Sequence, residues 1–151
     1  MPKISAGLLM YRTKKTLEVF LVHPGGPFWK NKDEGAWSIP KGEVEKNESF
    51  LEAAKREFFE ETGIKPKEPF LELGSIKQKS GKVVYACAFK GDFSGFLTRQ
   101  NMIEIEYPPK SGKKIKIPEV DKASFFTLEE AKKKIIPSQV LFLDRLREVL
   151  S

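Results

Sequence analysis

G-E-V-E-K-N-E-S-F-L-E-A-A-K-R-E-F-F-E-E-T-G-I, residues Gly42 to Ile64, is the stretch on which the reading of this chain turns. Ser49 followed by Glu52 is a capping-box pattern. Ala53, Ala54 and Arg56 favour helix. Gly63 suits a left-handed terminator, and Pro66 follows soon after. The pattern predicts a helix over about 49–62, with Phe50, Ala54 and Phe58 along its core-facing flank. Positions i, i+3 and i+4 share a helix face. Glu57, Glu60 and Glu61 therefore project three carboxylates to one side, beside that flank. Repulsion between Glu57 and Glu61 costs only roughly 0.2–0.5 kcal/mol on an exposed helix, so charge alone does not decide their role. Hard oxygen ligands at this density suit Mg²⁺ or Mn²⁺, which bind one or two carboxylates together with substrate phosphates.

Outward from this helix the chain alternates in kind. Ile4 to Arg12 reads as a strand, Thr13-Lys14-Lys15 as a turn and Leu17 to Val22 as the partner strand. Pro24-Gly25-Gly26-Pro27 breaks structure, and the loop runs to about Gly35. Trp37-Ser38-Ile39 reads as a short strand ending at Pro40. Leu71 to Lys79 and Lys82 to Lys90 form a hairpin around Ser80-Gly81. Pro108-Pro109 and Ser111-Gly112-Lys113-Lys114 mark an excursion between Ile103–Tyr107 and Ile115–Ile117. Ala123 to Phe126 is one more strand, and Thr127 caps a helix to about Ile135. A last amphipathic helix starts at Pro137 or Ser138, with Val140, Leu141, Leu143, Leu146 and Leu150 available for burial. Strands, helix, strands, helices imply a mixed sheet covered by helices on both faces. The 151 residues suit one domain, 1–151, and 40% apolar composition suffices for a core.

Bulk properties exclude several classes. No apolar run approaches 18 residues, so no membrane span is expected. The N-terminal residues hold no signal-peptide h-region, so a cytoplasmic location is expected. Cys87 is the single cysteine and His23 the single histidine, which excludes an internal disulfide and disfavours a Cys/His zinc site. The net charge is +6, but residues 42–64 hold seven Glu against Lys46, Lys55 and Arg56, a balance of −4. The rest of the chain therefore carries +10. An acidic strip in a basic body suits a metal bound to a polyanion, and surplus lysines also serve solubility. No RNA- or DNA-binding signature accompanies the charge, so nucleic acid is not the expected partner.

Written as a pattern, the segment is Gly42, five residues, Glu48, seven residues, then Arg56-Glu57-Phe58-Phe59-Glu60-Glu61-Thr62-Gly63-Ile64. It is similar to the Nudix box, G-x5-E-x7-R-E-U-x-E-E-x-G-U, with U apolar, and every fixed position is filled. A chance match is on the order of 10⁻⁹ per window from average residue usage. The flanking strand order and Phe125-Phe126 before a helix extend the resemblance over nearly the whole chain.

The resemblance implies an α/β/α sandwich and a pyrophosphohydrolase that cleaves a nucleoside diphosphate linked to another group, X. It implies that Glu57, Glu60 and Glu61 bind the divalent metal and that Gly42 lends a backbone carbonyl. It implies that Arg56 orients a glutamate and that Glu48 supports the helix. The chemistry fits independently. Divalent metals neutralise phosphate oxygens and make water nucleophilic near pH 7, and a nearby glutamate takes the remaining proton. Glu57, Glu60 and Glu61 are all open as that base, and Glu119, in Pro118-Glu119-Val120-Asp121, is a fourth from a later loop. The Pro40-Lys41-Gly42 entry looks like the members that hydrolyse dinucleoside polyphosphates. Lys41 is then a point charge for phosphate, or else a solvated loop residue. Phe28 and Trp29 stack on a base in one reading and cover core in the other. His23 reads as a strand-end residue, Tyr85 and Phe89 as packing, and Lys110, Lys113 and Lys114 as phosphate-gathering or a solvated tip. The expected substrate is a small nucleotide, a dinucleoside polyphosphate or nucleoside triphosphate, taken by a monomer or homodimer. A nucleotide sugar, a modified triphosphate, an RNA cap and a binding module without turnover are the alternatives.

Overall fold

Strand β1 (Ile4–Thr13) sends Ala6, Leu8 and Met10 to one face of a sheet and Leu9 to the other. Strand β2 (Leu17–Pro24) likewise divides Phe20 and Val22 from Val19 and Leu21. The alternation is that of any strand, but here both faces are apolar, so each needs a cover. This computed structural model describes residues 3–93 and 102–151. Helix α1 (Phe50–Thr62) covers the first face through Ala53, Ala54 and Phe58. Helices α2 (Leu128–Lys134) and α3 (Val140–Leu150) cover the second through Ala131, Phe142, Leu143 and Leu146. This is the expected α/β/α sandwich.

The remaining strands are β3 (Lys41–Glu43), β4 (Leu71–Lys77), β5 (Val83–Lys90), β6 (Met102–Glu106), β7 (Lys114–Pro118) and β8 (Val120–Thr127). The main sheet runs β4-β5-β1-β2-β8, with β1 and β5 parallel and the other pairs antiparallel. β6 and β7 form a separate two-stranded excursion, as the sequence predicts. No helix among the described residues is long and apolar enough to cross a membrane.

One departure from a simple meander builds the site. β1 and β2 pair only near their shared turn, at Tyr11–Thr13, and then separate. The chain at 38–43 fills the gap. Val22 and Ser38 exchange backbone bonds of 2.9 Å on one side, and β3 pairs with Ser5, Ala6 and Gly7 of β1 on the other. The sequence places a strand at Trp37–Ile39; the structure has only isolated bridges there, and the strand proper begins after Pro40. Pro40 has no N–H to give to a ladder, but its carbonyl accepts from Leu8 N at 3.2 Å.

Helix α1 starts at Ser49, whose side chain accepts from Glu52 N, and ends at Gly63 in the left-handed conformation, φ 77°. Phe50 departs from expectation. It is exposed rather than core-facing, and its ring stacks on Tyr85 at 3.9 Å. In α3, Phe142 takes the buried place while Leu141 and Leu150 stay exposed, because the 3₁₀ turn Pro137–Gln139 sets the helix phase. Arg145 of α3 donates from Nη1 to Leu73 O (3.0 Å) and Ser75 O (2.7 Å), holding the bulge of β4 at Gly74.

Candidate active site

Arg56 is the hub of the acidic segment. Its Nε and Nη2 donate to the two oxygens of Glu48 at 2.8 and 3.0 Å, a fork-to-fork pair. Nη2 also reaches Glu43 O at 3.1 Å, and Nη1 reaches Glu57 Oε1 at 2.8 Å. One guanidinium thus ties α1 to the loop that leads into it. The Glu48 bonds hold Arg56 above its ordinary value, and Arg56, with the Glu45 N–H, holds Glu48 below the usual carboxylate range.

Glu57 is fixed twice, by Arg56 and by the backbone beneath it. A β-carbon on Gly42 would collide with the Glu57 carboxylate, so glycine there lets the strand and the acid meet. Burial raises the Glu57 carboxyl above its ordinary value against the opposing pull of Arg56. One turn on, Glu61 is buried, and its Oε2 has no hydrogen-bond partner among the described residues. Burial first, then repulsion from Glu119 and Glu57, push it well above the ordinary value. Glu119 joins from the junction of β7 and β8. Carboxylate oxygens of Glu57, Glu61 and Glu119 lie within 4.8 Å of one another.

Of the glutamates flagged from sequence, Glu57 and Glu61 therefore meet each other and the later acid Glu119. Glu60 lies outside that group, half-exposed and turned to Arg56 Nη1 at 3.4 Å. The donor set fits a hard divalent cation. It offers three oxygen ligands, an orphaned buried oxygen, and a glycine kept free of any side chain under one ligand.

A cavity of about 280 Å³ opens beside these acids. Trp29, Ser38, Ile39, Lys41, Glu61 and Glu119 line it. Burial lowers Lys41 below its ordinary value, opposed by Glu61. The ammonium is therefore held among acids at the cavity wall, not in a solvated loop. Trp29 lines the cavity, whereas Phe28 turns away to meet Tyr107 edge-on at 5.5 Å.

His23 does more than end a strand. It is fully buried, with Nδ1 at 2.8 Å from Asp121 Oδ1 and Nε2 at 2.6 Å from Lys32 O. It links the loop that carries Trp29 to the strand just past Glu119. A histidine alone among apolar residues gives no such sign in sequence, since the partners lie 9 and 98 positions away.

Comparison with known proteins agrees with this geometry. The family model for the NUDIX domain matches residues 1–146. An uncharacterized 17.7 kDa protein of Enterobacteria phage T4 is 32% identical over 124 residues, 80% of each chain. An RNA pyrophosphohydrolase of Bradyrhizobium sp. (strain ORS 278) is 29% identical over 100 residues; the match spans 60% of each chain, under two thirds of that relative's length. The crystal structure of a C. elegans Ap4A hydrolase binary complex superposes with a TM-score of 0.65 at 22% identity, covering 97% of both chains. The sandwich, the filled box and the matched family model lead to one conclusion: this chain belongs to the Nudix hydrolase family.

Proposed function

We propose that the chain hydrolyses a phosphoanhydride bond in a nucleoside diphosphate linked to X, with Mg²⁺ or Mn²⁺, and that X is a second nucleoside polyphosphate or plain phosphate. The observation that carries this reading is the convergence of Glu57, Glu61 and Glu119, with Glu61, Glu119 and Lys41 in one cavity wall. A divalent cation held by these acids supplies charge for the departing phosphate and acidifies a water. The residues themselves do the rest. Arg56 keeps Glu57 aimed by a charge-assisted bond, and Gly42 keeps its approach clear. Lys41 meets a phosphate oxygen as a point charge. Trp29 offers an indole to the base. Glu60, next to Glu61 on α1 and half-exposed, is assigned to complete the group once substrate and cation are bound. Glu57, Glu60, Glu61 and Glu119 are the candidates for accepting the proton of the attacking water.

A polynucleotide 5′ end is the second reading. The exposed aromatic pair Phe28 and Tyr107 beside the Trp29 loop favours it, as does the name of the Bradyrhizobium relative. A binding module without turnover is disfavoured because no box glutamate is missing. The decisive experiment is a panel of dinucleoside polyphosphates, nucleoside triphosphates, nucleotide sugars and triphosphorylated RNA. Each is assayed with Mg²⁺ and Mn²⁺, and products are separated by chromatography. Hydrolysis of the first two classes supports the proposal; release of pyrophosphate from RNA alone selects the second reading; no cleavage of any phosphoanhydride overturns both.

A further inference from the structure

Glu57 and Glu61 sit on the second half of helix α1, and the first turn of the same helix walls a different cavity. About 600 Å³ opens between Phe50 and Leu51 of that turn and strands β4 and β5. Its walls are aromatic. Phe50 and Tyr85 stack at 3.9 Å with their planes 10° apart, and Phe70 lines the cavity with them. Leu51 and Phe70 are shared with an adjoining cavity of about 500 Å³, which Glu68 and Pro69 complete. The two make one groove, centred about 15 Å along the α1 axis from Glu61.

Charge in this groove has one sign. Glu72 lines the first cavity and Glu68 the second, and among the described residues no lysine, arginine or histidine lines either. Both acids are exposed. Neither has an ion-pair partner among the described residues, although the chain holds 27 Lys and Arg against 21 acids. Glu72 lies opposite Cys87 in the β4–β5 register, which sets it on the groove side of the sheet. Burial first, and then this carboxylate, push the Cys87 thiol up. One ring already carries a cation, since Lys55 Nζ lies over Phe70 at 5.3 Å from its centroid. The faces of such rings attract cations through their quadrupole.

We propose that this groove binds an aliphatic di- or polyamine. Apolar walls take up methylenes, and two separated carboxylates take ammonium groups. A hard divalent cation seeks clustered oxygens, which a groove walled by rings does not offer. A compact quaternary ammonium answers one acid and leaves the other, and a neutral apolar ligand answers neither. An oligomethylene chain with an ammonium at each end answers both. Glu68 and Glu72 are four residues apart, a backbone span of at most roughly 14 Å, within reach of one extended triamine. The volume is that of small-molecule sites, roughly 300–1,000 Å³. The site stands apart from the acid group and does not depend on the hydrolase reading.

The test is calorimetry with spermidine, putrescine, tetramethylammonium and hexanediol at constant ionic strength. Spermidine is expected to bind saturably at one site, putrescine more weakly, and the other two not at all. Glu68→Gln and Glu72→Gln each weaken spermidine by about 3- to 10-fold. Phe70→Leu keeps apolar bulk, removes the ring, and weakens it by about 3- to 30-fold. Glu61→Gln leaves the affinity unchanged. In the unmutated protein, NMR signals of Phe70, Tyr85 and Cys87 shift with spermidine while those of Trp29 stay, a readout independent of how the variants fold. No saturable binding up to millimolar spermidine overturns the inference. So does equal affinity for tetramethylammonium, which reduces the groove to a cage for one cation, or for hexanediol, which reduces it to an apolar surface. Binding that is lost in Glu61→Gln and kept in Glu72→Gln moves the amine to the metal-binding acids and overturns it as well. A failure here leaves the outcome of the nucleotide panel untouched, and a chain inactive in that panel keeps its amine site.

Discussion

The carboxylate of Glu57 rests on the α-carbon of Gly42, with no room between them for a β-carbon. Strand β3 and helix α1 are thereby held at a spacing that only glycine permits. Gly42→Ala should force the acid or the strand aside. The expected loss of stability is about 1–3 kcal/mol, as for other overpacked sites, read by denaturant melts. Turnover should fall about 10²-fold, since small misplacements of catalytic groups cost that much. An alanine variant with native turnover would show that the Glu57 position is unimportant.

Glu61 should make the metal-free protein less stable as pH rises. Its folded value is raised, so the folded state holds the proton more tightly than the unfolded chain. The stabilising contribution is full below the ordinary carboxylate value of 4.5 and is lost as pH climbs through the raised folded value. Melting temperature in EDTA should therefore decline across that window. Glu61→Gln should flatten the decline and raise Tm near neutrality, by roughly 2–4 °C for each kcal/mol relieved in a chain of this length. The same variant should lose the Tm gain that Mg²⁺ gives the wild type by mass action.

Glu48 has the opposite sign. Arg56 holds it below the usual range, so its contribution is present above the ordinary value of 4.5 and disappears as pH falls through the lower folded one. Glu48→Gln should cost about 1–2 kcal/mol at pH 7, allowing for partial solvent screening. The difference from wild type should vanish in acid melts. A constant difference down to the acid limit would assign the loss to packing instead.

His23 and Asp121 should behave as a coupled pair. Removing Asp121 strands the buried His23 and removing His23 strands the part-buried Asp121, so His23→Ala and Asp121→Ala should each destabilise, and the double variant should fall short of their sum by about 1 kcal/mol. Mg²⁺ affinity should weaken in both single variants, because Asp121 lies two residues past Glu119. Strict additivity of the two melts would dissolve the pair.

Glu60 stands outside the acid group yet is proposed to complete it. Glu60→Gln should lower Mg²⁺-dependent turnover by orders of magnitude while Tm changes little, since the Arg56–Glu60 contact of 3.4 Å is a half-exposed ion pair. Excess EDTA should abolish turnover of the wild type. Near-native activity of Glu60→Gln with Mg²⁺ would remove this residue from the site.

Much of this was legible from local pattern. α1 with its Ser49 and Gly63 ends, the β4–β5 hairpin and the Thr127 cap all depend on residues near one another in sequence. The box placed Glu57 and Glu61 together because helix geometry does so by itself. What escaped depends on contacts across the chain. The separation of β1 from β2 moved the short strand from Trp37–Ile39 to Lys41–Glu43. Phe50 left the core because Tyr85, 35 positions on, offers a face for its ring. Gln139 is buried with its amide oxygen accepting from the Ile39 N–H, 100 residues earlier. Glutamine at a helix start carries no such signal.

The order of strands has a consequence for synthesis. β1 lies at the centre of the sheet, but its parallel neighbour is β5 and β2 must wait for β8. A chain emerging from the ribosome therefore carries an unfinished sheet until more than four fifths of it has been made. Two of the three converging carboxylates are already present by residue 61, and the third arrives only with residue 119. A truncated product ending between those points thus lacks both the third carboxylate and the strand that closes the sheet beside β2.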